Sequence, residues 1–516
     1  MTATNAPSPP VDDRREITGW AMYDWASSAF TTTVATVFLG PYLAALVDAA
    51  AKASPDGQAR LLGLPIAADS FLPYCIAFSV AFQAGILPIL GAIADHSHRR
   101  KAMLHAFAVL GAVATLGLFF VHGALWWLGG ALFIVANLAF GASTVFYNAY
   151  LPDIASEGRR DRVSSYGFAL GYLGGGLLLL LNLALYLASD RLGVSRELAV
   201  RINLASAGTW WMGWSFWTWS TLRARRPARS LQAGETFLGV AFRRLAVTME
   251  TPAPVIASLL LSPLAVLVLI PIVTLLDLPV EWSFIALFGP IVMIGRFLWR
   301  KRRTRPQTSR FLLAYLVYND GIQTVIGVAA VFAAAPLVRG GLAMPTSRLT
   351  LLILLIQFVA FFGALLFGRL AERAGAKRAL VASLVVWAGV VTYAYAGLRD
   401  TTSSFAGIPR AEAEFWLLGA IIAVVLGGSQ ALSRSLFAQM VPREQEAEFF
   451  SIYEISERGT SWMGPFLFGL VNQTTGSLRP AIFSIVVFFA IGLAILVFVN
   501  TARAAAESGR SAYART

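Results

Sequence analysis

The chain has 516 residues, 57% of them hydrophobic and only 13% charged, with a net charge of +13 and a mean hydropathy of +0.66. Soluble domains carry about a quarter charged residues, so this composition excludes a large soluble domain. The basic excess falls in every second gap between apolar stretches. That is the positive-inside pattern of a membrane protein and not the basic patch of a nucleic-acid binder.

A hydrocarbon core of ~30 Å needs roughly 20 apolar residues as a helix. Lipid cannot satisfy free backbone groups, and the stretches show no period-2 alternation, so they read as helices and not barrel strands. After a polar tail, 1–18, spans are expected at 19–46, 70–94, 102–122, 125–150, 164–189 and 202–222. A basic linker with the amphipathic segment FLGVAFRRLAVTME follows, expected to lie on the inner membrane surface. Two further spans, 255–276 and 282–299, form a hairpin through DLPVE. Six more are expected at 311–336, 349–370, 379–397, 415–440, 447–472 and 480–500, before a tail, 501–516. The fold class is therefore all-α integral membrane with about fourteen spans. Both termini are expected in the cytoplasm, with bundles at 19–222 and 311–500 and an insert at 223–310. Cys75 is the only cysteine, so an internal disulfide and a Cys-based metal site are excluded.

The two sets of six resemble each other. GAIADHSHRRK (91–101) follows the second span, and GRLAERAGAKR (368–378) holds the matching place later. Pro152, Gly174 and Asn182 are matched in register by Pro442, Gly464 and Asn472. Tyr23-Asp24 of the first span has a counterpart in Tyr318-Asn319-Asp320. Such duplication is the build of secondary transporters.

GAIADHSHRRK resembles the Gly-x-x-x-Asp-x-x-x-Arg-Arg/Lys loop of the major facilitator superfamily. Together, GWAMYDWASSAF, FYNAYLPDIAS, GFALGYLGGG, YNDG and GGSQALSRSLFAQMVP are similar to its autophagy-linked vacuolar effluxer group. The resemblance covers both six-span sets and implies two pseudo-symmetric six-helix bundles, here with an inserted hairpin. It also implies alternating access and efflux or exchange of amino acids or similar small solutes. The motif residues Gly91, Asp95, Arg99 and Arg100, with Gly368 and Glu372 in the second copy, are then the expected conformational latch. Lys101 reads from its surroundings as a solvated loop cation.

Ionisable residues inside spans are costly and mark candidate pathways. Asp320 lies about nine residues into its span, so ~14 Å deep at 1.5 Å per residue. Asp24 lies nearer the inner interface, beside Tyr23. Gln430 and Arg434 share a helix face at i, i+4, as do Glu454 and Arg458 one span later, with Glu457 alongside. Arg434 is expected to bind a carboxylate, to pair with these acids as a gate, or to snorkel to headgroups. Asn148 and Asn319 complete the candidate substrate or proton pathway. No Walker-type phosphate loop is present, so no cofactor is expected and energy comes from a gradient. No compact acid, base or nucleophile cluster speaks for an enzyme. A lipid or amphiphile flippase and a non-transporting scaffold or receptor are the alternatives. Expected partners are a small-molecule substrate, with protons as candidate co-substrate, and membrane lipids. A monomer in a bacterial inner or plasma membrane is expected.

Overall fold

The computed structural model describes residues 11–61, 64–66, 68–97, 99–224, 236–248, 251–258, 276, 289–400, 402–405, 407–442, 445–458 and 463–509. Helix α1, Arg14–Ala53, starts earlier than the expected span and passes through a π-helical stretch, Phe30–Phe38. Asp13 is its N-cap and accepts from the Arg15 N–H at 2.8 Å. That N–H holds the Asp13 carboxyl below the usual carboxylate range. The polar tail is thus partly structural. Asp12 accepts from the Ser156 N–H at 3.0 Å, and Glu16, 1% exposed, accepts from the Arg223 N–H at 3.1 Å.

Helices α2 (Ala68–Ser97), α3 (Arg100–Gly117), α4 (Trp126–Ile154), α5 (Arg160–Ala188) and α6 (Arg196–Thr221) follow. Ser195 caps α6 by accepting from the Leu198 N–H. Two short helices come next, α7 (Phe237–Thr248) and α8 (Gly289–Thr304). Then come α9 (Pro306–Ala334), opened by a proline at its start, α10 (Thr346–Ala374), α11 (Ala376–Ala396) and α12 (Arg410–Met440). The last elements are α13 (Glu446–Arg458), α14 (Met463–Thr475), α15 (Leu478–Ser484), α16 (Val486–Val497) and α17 (Thr501–Glu507). Two short antiparallel hairpins, Ala59–Leu61 with Leu64–Ile66 and Ser404–Phe405 with Ile408–Pro409, lie in gaps where no strand was expected.

Among the described residues, ten helices are long and apolar enough to cross a membrane. The Trp- and Thr-rich α6 is long enough, at 26 residues, but less apolar. The expected hairpin, 255–276 and 282–299, falls largely on residues outside the described ones. Helix α7, the expected amphipathic segment, packs along α2. Val240, Ala241 and Leu245 are buried in that contact face.

The chain forms two compact units. One gathers Met1–Ser156, Gly174–Gly295 and Glu444–Ile452; the other gathers Glu157–Leu173, Arg296–Arg443 and Tyr453–Thr516. In the first, α1 packs on α6, α2 on α4, α3 on α4, and α3 on α6. In the second, α9 packs on α16, α10 on α12, α11 on α12, and α11 on α16. The two sets of four pairings match helix for helix, which bears out the internal duplication read from the motifs.

Between helices in lipid, close packing and hydrogen bonds do the work that water exclusion does elsewhere. Trp20 stacks on Tyr147 at 4.4 Å and donates its indole N–H to the Tyr147 carbonyl at 2.9 Å. Asn137 donates to Ser79 at 2.7 Å and Asn182 to Thr33 at 3.2 Å. Both asparagines therefore serve as interhelical ties.

Candidate functional site

The first motif builds a charged cluster inside the first unit. Asp95, near the end of α2, accepts from Arg100 at 2.6 Å. It also accepts from the backbone N–H groups of Ala447 at 3.2 Å and Glu448 at 2.9 Å. These open the first turn of α13, where free N–H groups and the helix dipole favour an anion. A Cβ at Gly91 would stand 2.5 Å from the Ala447 carbonyl oxygen, so only glycine lets α13 approach this closely. Arg100 is 7% exposed and reaches Asp153 and the Ala149 carbonyl, both at 2.9 Å, and Glu446 at 3.5 Å. Arg99 is exposed at the N-cap of α3.

Asp153 and Glu446 were missed as members of this cluster. The acid-rich run EQEAE, facing a basic motif in another inner gap, was the signal that could have found Glu446. Lys101 is not a solvated cation: it donates to the Leu222 carbonyl, the C-cap of α6, at 2.6 Å. A lysine there satisfies an orphan carbonyl and complements the dipole.

The second copy of the motif is built differently, inside the second unit. A Cβ at Gly368 would stand 2.7 Å from the Ser165 Cβ on α5. Glu372, however, makes no hydrogen bond to a helix end among the described residues; it meets Arg162 at 3.9 Å, with both side chains solvent-accessible. Such a pair contributes little. Lys377 donates to the Val497 and Val499 carbonyls at 2.8 and 2.7 Å, at the end of α16. Lys101 and Lys377 thus cap the last helix of their respective sets.

The intramembrane polar residues fall into two groups. In the first unit, Tyr147 donates to Asp24 at 2.6 Å, Tyr23 tilts against the Tyr147 ring at 5.2 Å, and Asn148 is buried nearby in sequence. Trp25 stacks with Trp210 at 5.6 Å. In the second unit, Asp320 is 1% exposed. Its Oδ2 accepts from the Gly464 N–H, in the first turn of α14, at 2.7 Å. Its Oδ1 is buried and has no hydrogen-bond partner among the described residues. Asn319 is buried beside it, and Tyr318 shares a 2.6 Å hydrogen bond with Ser433.

Arg434 is 3% exposed. Its Nε donates to the Ser164 hydroxyl at 2.9 Å, its Nη2 to the Ser164 carbonyl at 2.8 Å, and its guanidinium lies over the Phe168 ring at 4.1 Å. This placement corrects the snorkelling alternative, because the head group is held within packed protein. One turn before it, Gln430 accepts from Tyr172 at 2.6 Å. Ser164, Phe168 and Tyr172 were not expected as partners; spacing within α12 gives no signal for a residue so distant in the chain. Glu454 is buried on α13. The side chains of Glu457 and Arg458 lie outside the described ones. No group of three or more metal-ligating side chains occurs among the described residues.

Repeated helix pairings and a motif-built charged cluster define the class: a multi-pass membrane transporter of the major facilitator type. Solved structures agree on the fold. A proton:xylose symporter, XylE, superposes with a TM-score of 0.59 at 12% identity, covering 94% of both chains. The human organic anion transporter MFSD10 gives 0.58 at 14% identity, covering 95% of this chain and all of the other. More particularly, the family profile described as "Vacuole effluxer Atg22 like" matches residues 12–509, and the chain belongs to that family. An MFS-type transporter of Bacillus subtilis (strain 168), YxiO, is 29% identical over 93% of this chain and 94% of its own length. Autophagy-related protein 22-1 of Neosartorya fischeri is 23% identical over 97% and 93%.

Proposed function

We propose that the protein is a gradient-coupled exporter or exchanger of amino acids or similar small solutes. It works by alternating access of two bundles, 19–222 and 311–500. The observation that carries the coupling is Asp320: a carboxylate deep in a span, one oxygen on a helix N–H and the other without a partner among the described residues. A buried carboxylate so placed needs a proton or a cationic group to complete it. The substrate ammonium or a proton fills that need in turn. The family profile's description as an effluxer supports the outward direction. The basic gaps support cytoplasmic termini and, for a bacterial chain, the inner membrane. The protein acts as a monomer.

Asp95 is the latch. Its grip on the first turn of α13 fastens the cytoplasmic side when the protein opens outward, and its release lets the bundles rock. Arg434 is the second fastening, with Gln430 beside it. Asp24, Tyr23, Asn148 and Asn319 line the pathway, with Glu454, Glu457 and Arg458 adjoining it.

The test is a thermal-shift screen of purified protein against amino acids, peptides, sugars and drugs, since a bound ligand stabilises by mass action. Hits go forward to proteoliposomes with an imposed pH gradient. Gradient-dependent flux of an amino acid in wild type, abolished in Asp320→Asn at equal expression, is expected. Flux that ignores the gradient removes the coupling, and flux intact in Asp320→Asn makes that carboxylate structural.

A further inference from the structure

We propose that α8 carries a binding site for the head group of an anionic phospholipid, independent of the transport pathway. The helix changes character along its length. GPIVMIG, its first part, is apolar; RFLWRKRRT, from Arg296 to Thr304, holds five cations and no acid. Arg296, Arg300 and Arg303 recur at i, i+4 and i+7, which sets them on one helical face. Arg296 and Arg303 are exposed, and Arg300 is half-buried.

Phe297 anchors the helix, at 1% exposed, and leaves the stripe presented outward. Trp299 is 65% exposed at the boundary between the apolar and cationic parts. An indole at that level is the signature of a head-group boundary. Arg302 lies over its ring at 3.4 Å, which keeps the indole in place and a further cation beside the stripe.

The chemistry selects a phosphodiester. Arginine forks match phosphate oxygens in pairs, which lysine point charges do not. The exposed Trp299 ring meets the acyl-chain boundary while the stripe meets the phosphate. A soluble phosphate would use only the second half of that arrangement, and a polyanionic protein partner would leave the apolar part and Trp299 unexplained.

The experiment uses full-length protein equilibrated with mixed phosphatidylglycerol and phosphatidylcholine, with retained lipid read by native mass spectrometry. Wild type is expected to retain phosphatidylglycerol preferentially, less so as ionic strength rises. Each arginine of the stripe exchanged for glutamine lowers that preference roughly fivefold, and the triple exchange Arg296→Gln, Arg300→Gln, Arg303→Gln by on the order of a hundredfold. Gel filtration checks folding; should the triple variant misfold, the single exchanges carry the test. The control is Arg369→Gln, Arg373→Gln, Arg378→Gln, which removes the same charge from another inner gap.

Equal losses in stripe and control would reduce the site to diffuse surface charge and overturn the proposal. So would absence of preference in wild type. Displacement of the lipid by inorganic phosphate at constant ionic strength would reassign the stripe to a soluble anion.

Discussion

Arg434 and Ser164 lie 270 residues apart in the chain, yet the arginine donates to both oxygens of the serine. The pair joins α12 to the first turns of α5, and Phe168 closes over the guanidinium. Arg434→Ala removes two charge-assisted hydrogen bonds, each contributing ~1.5–3 kcal/mol. Arg434→Lys keeps the charge but not the fork. Both variants are expected to lose transport, and thermal unfolding should show Lys intermediate between Ala and wild type. Transport at wild-type rates in Arg434→Lys would show that charge alone suffices.

Asp95→Ala empties the acceptor of the two α13 N–H groups and of Arg100. Spin labels on the ends of α2 and α13 should report a longer and broader distance distribution. Asp95→Asn keeps one carbonyl acceptor and should fall between. A distribution unchanged in Asp95→Ala leaves the motif with a role in topology only.

Gly91→Val is expected to reproduce the Asp95→Ala phenotype with the carboxylate intact, because its Cβ meets the Ala447 carbonyl at 2.5 Å. The helix must retreat or the latch must strain. Wild-type label distances and transport in this variant would show that α13 has room to shift.

The two lysine caps should act alike and independently. Lys101→Met and Lys377→Met keep most of the stem and lose the donor, at about 1 kcal/mol each. The sites share no partner, so the double variant should show the sum. Melting temperatures in detergent decide this, and a double variant no less stable than either single would refute independent capping.

Topology of the insert can be read with a Cys75→Ser background and Pro279→Cys. Two crossings place position 279 outside, where an impermeant maleimide labels intact cells. Labelling only after lysis would place the insert on or under the inner face.

How legible the chain was depends on the range of the force concerned. Span positions were readable because the requirement for internally satisfied backbone is local. The expected 164–189 and 379–397 correspond to α5 and α11, with shifts of a few residues. The early start of α1 was not readable: Asp13 caps it, but the burial of Glu16 depends on Arg223, two hundred residues away. Asp95 meets Arg100 and the first turn of α13, Gly91 leaves room for that turn, and Arg99 is exposed. The similarly patterned Glu372 meets a solvent-accessible Arg162 instead. Sequence similarity could not distinguish a carboxylate aimed at N–H groups from one meeting a solvated arginine.

What the sequence by itself determined is the membrane solvent, the duplicated order of helices and the inventory of charges that lipid would not tolerate alone. These follow from composition, period and the sign of charge in each gap, all of which act within a few residues. What only the tertiary structure decided is the partner of each charge: Ser164 for Arg434, the α13 N–H groups for Asp95, Gly464 for Asp320, and a helix-end carbonyl for Lys101. Partner choice is settled by which helices pack together and in what register. Close packing between distant segments sets that, and no pattern along the chain encodes it.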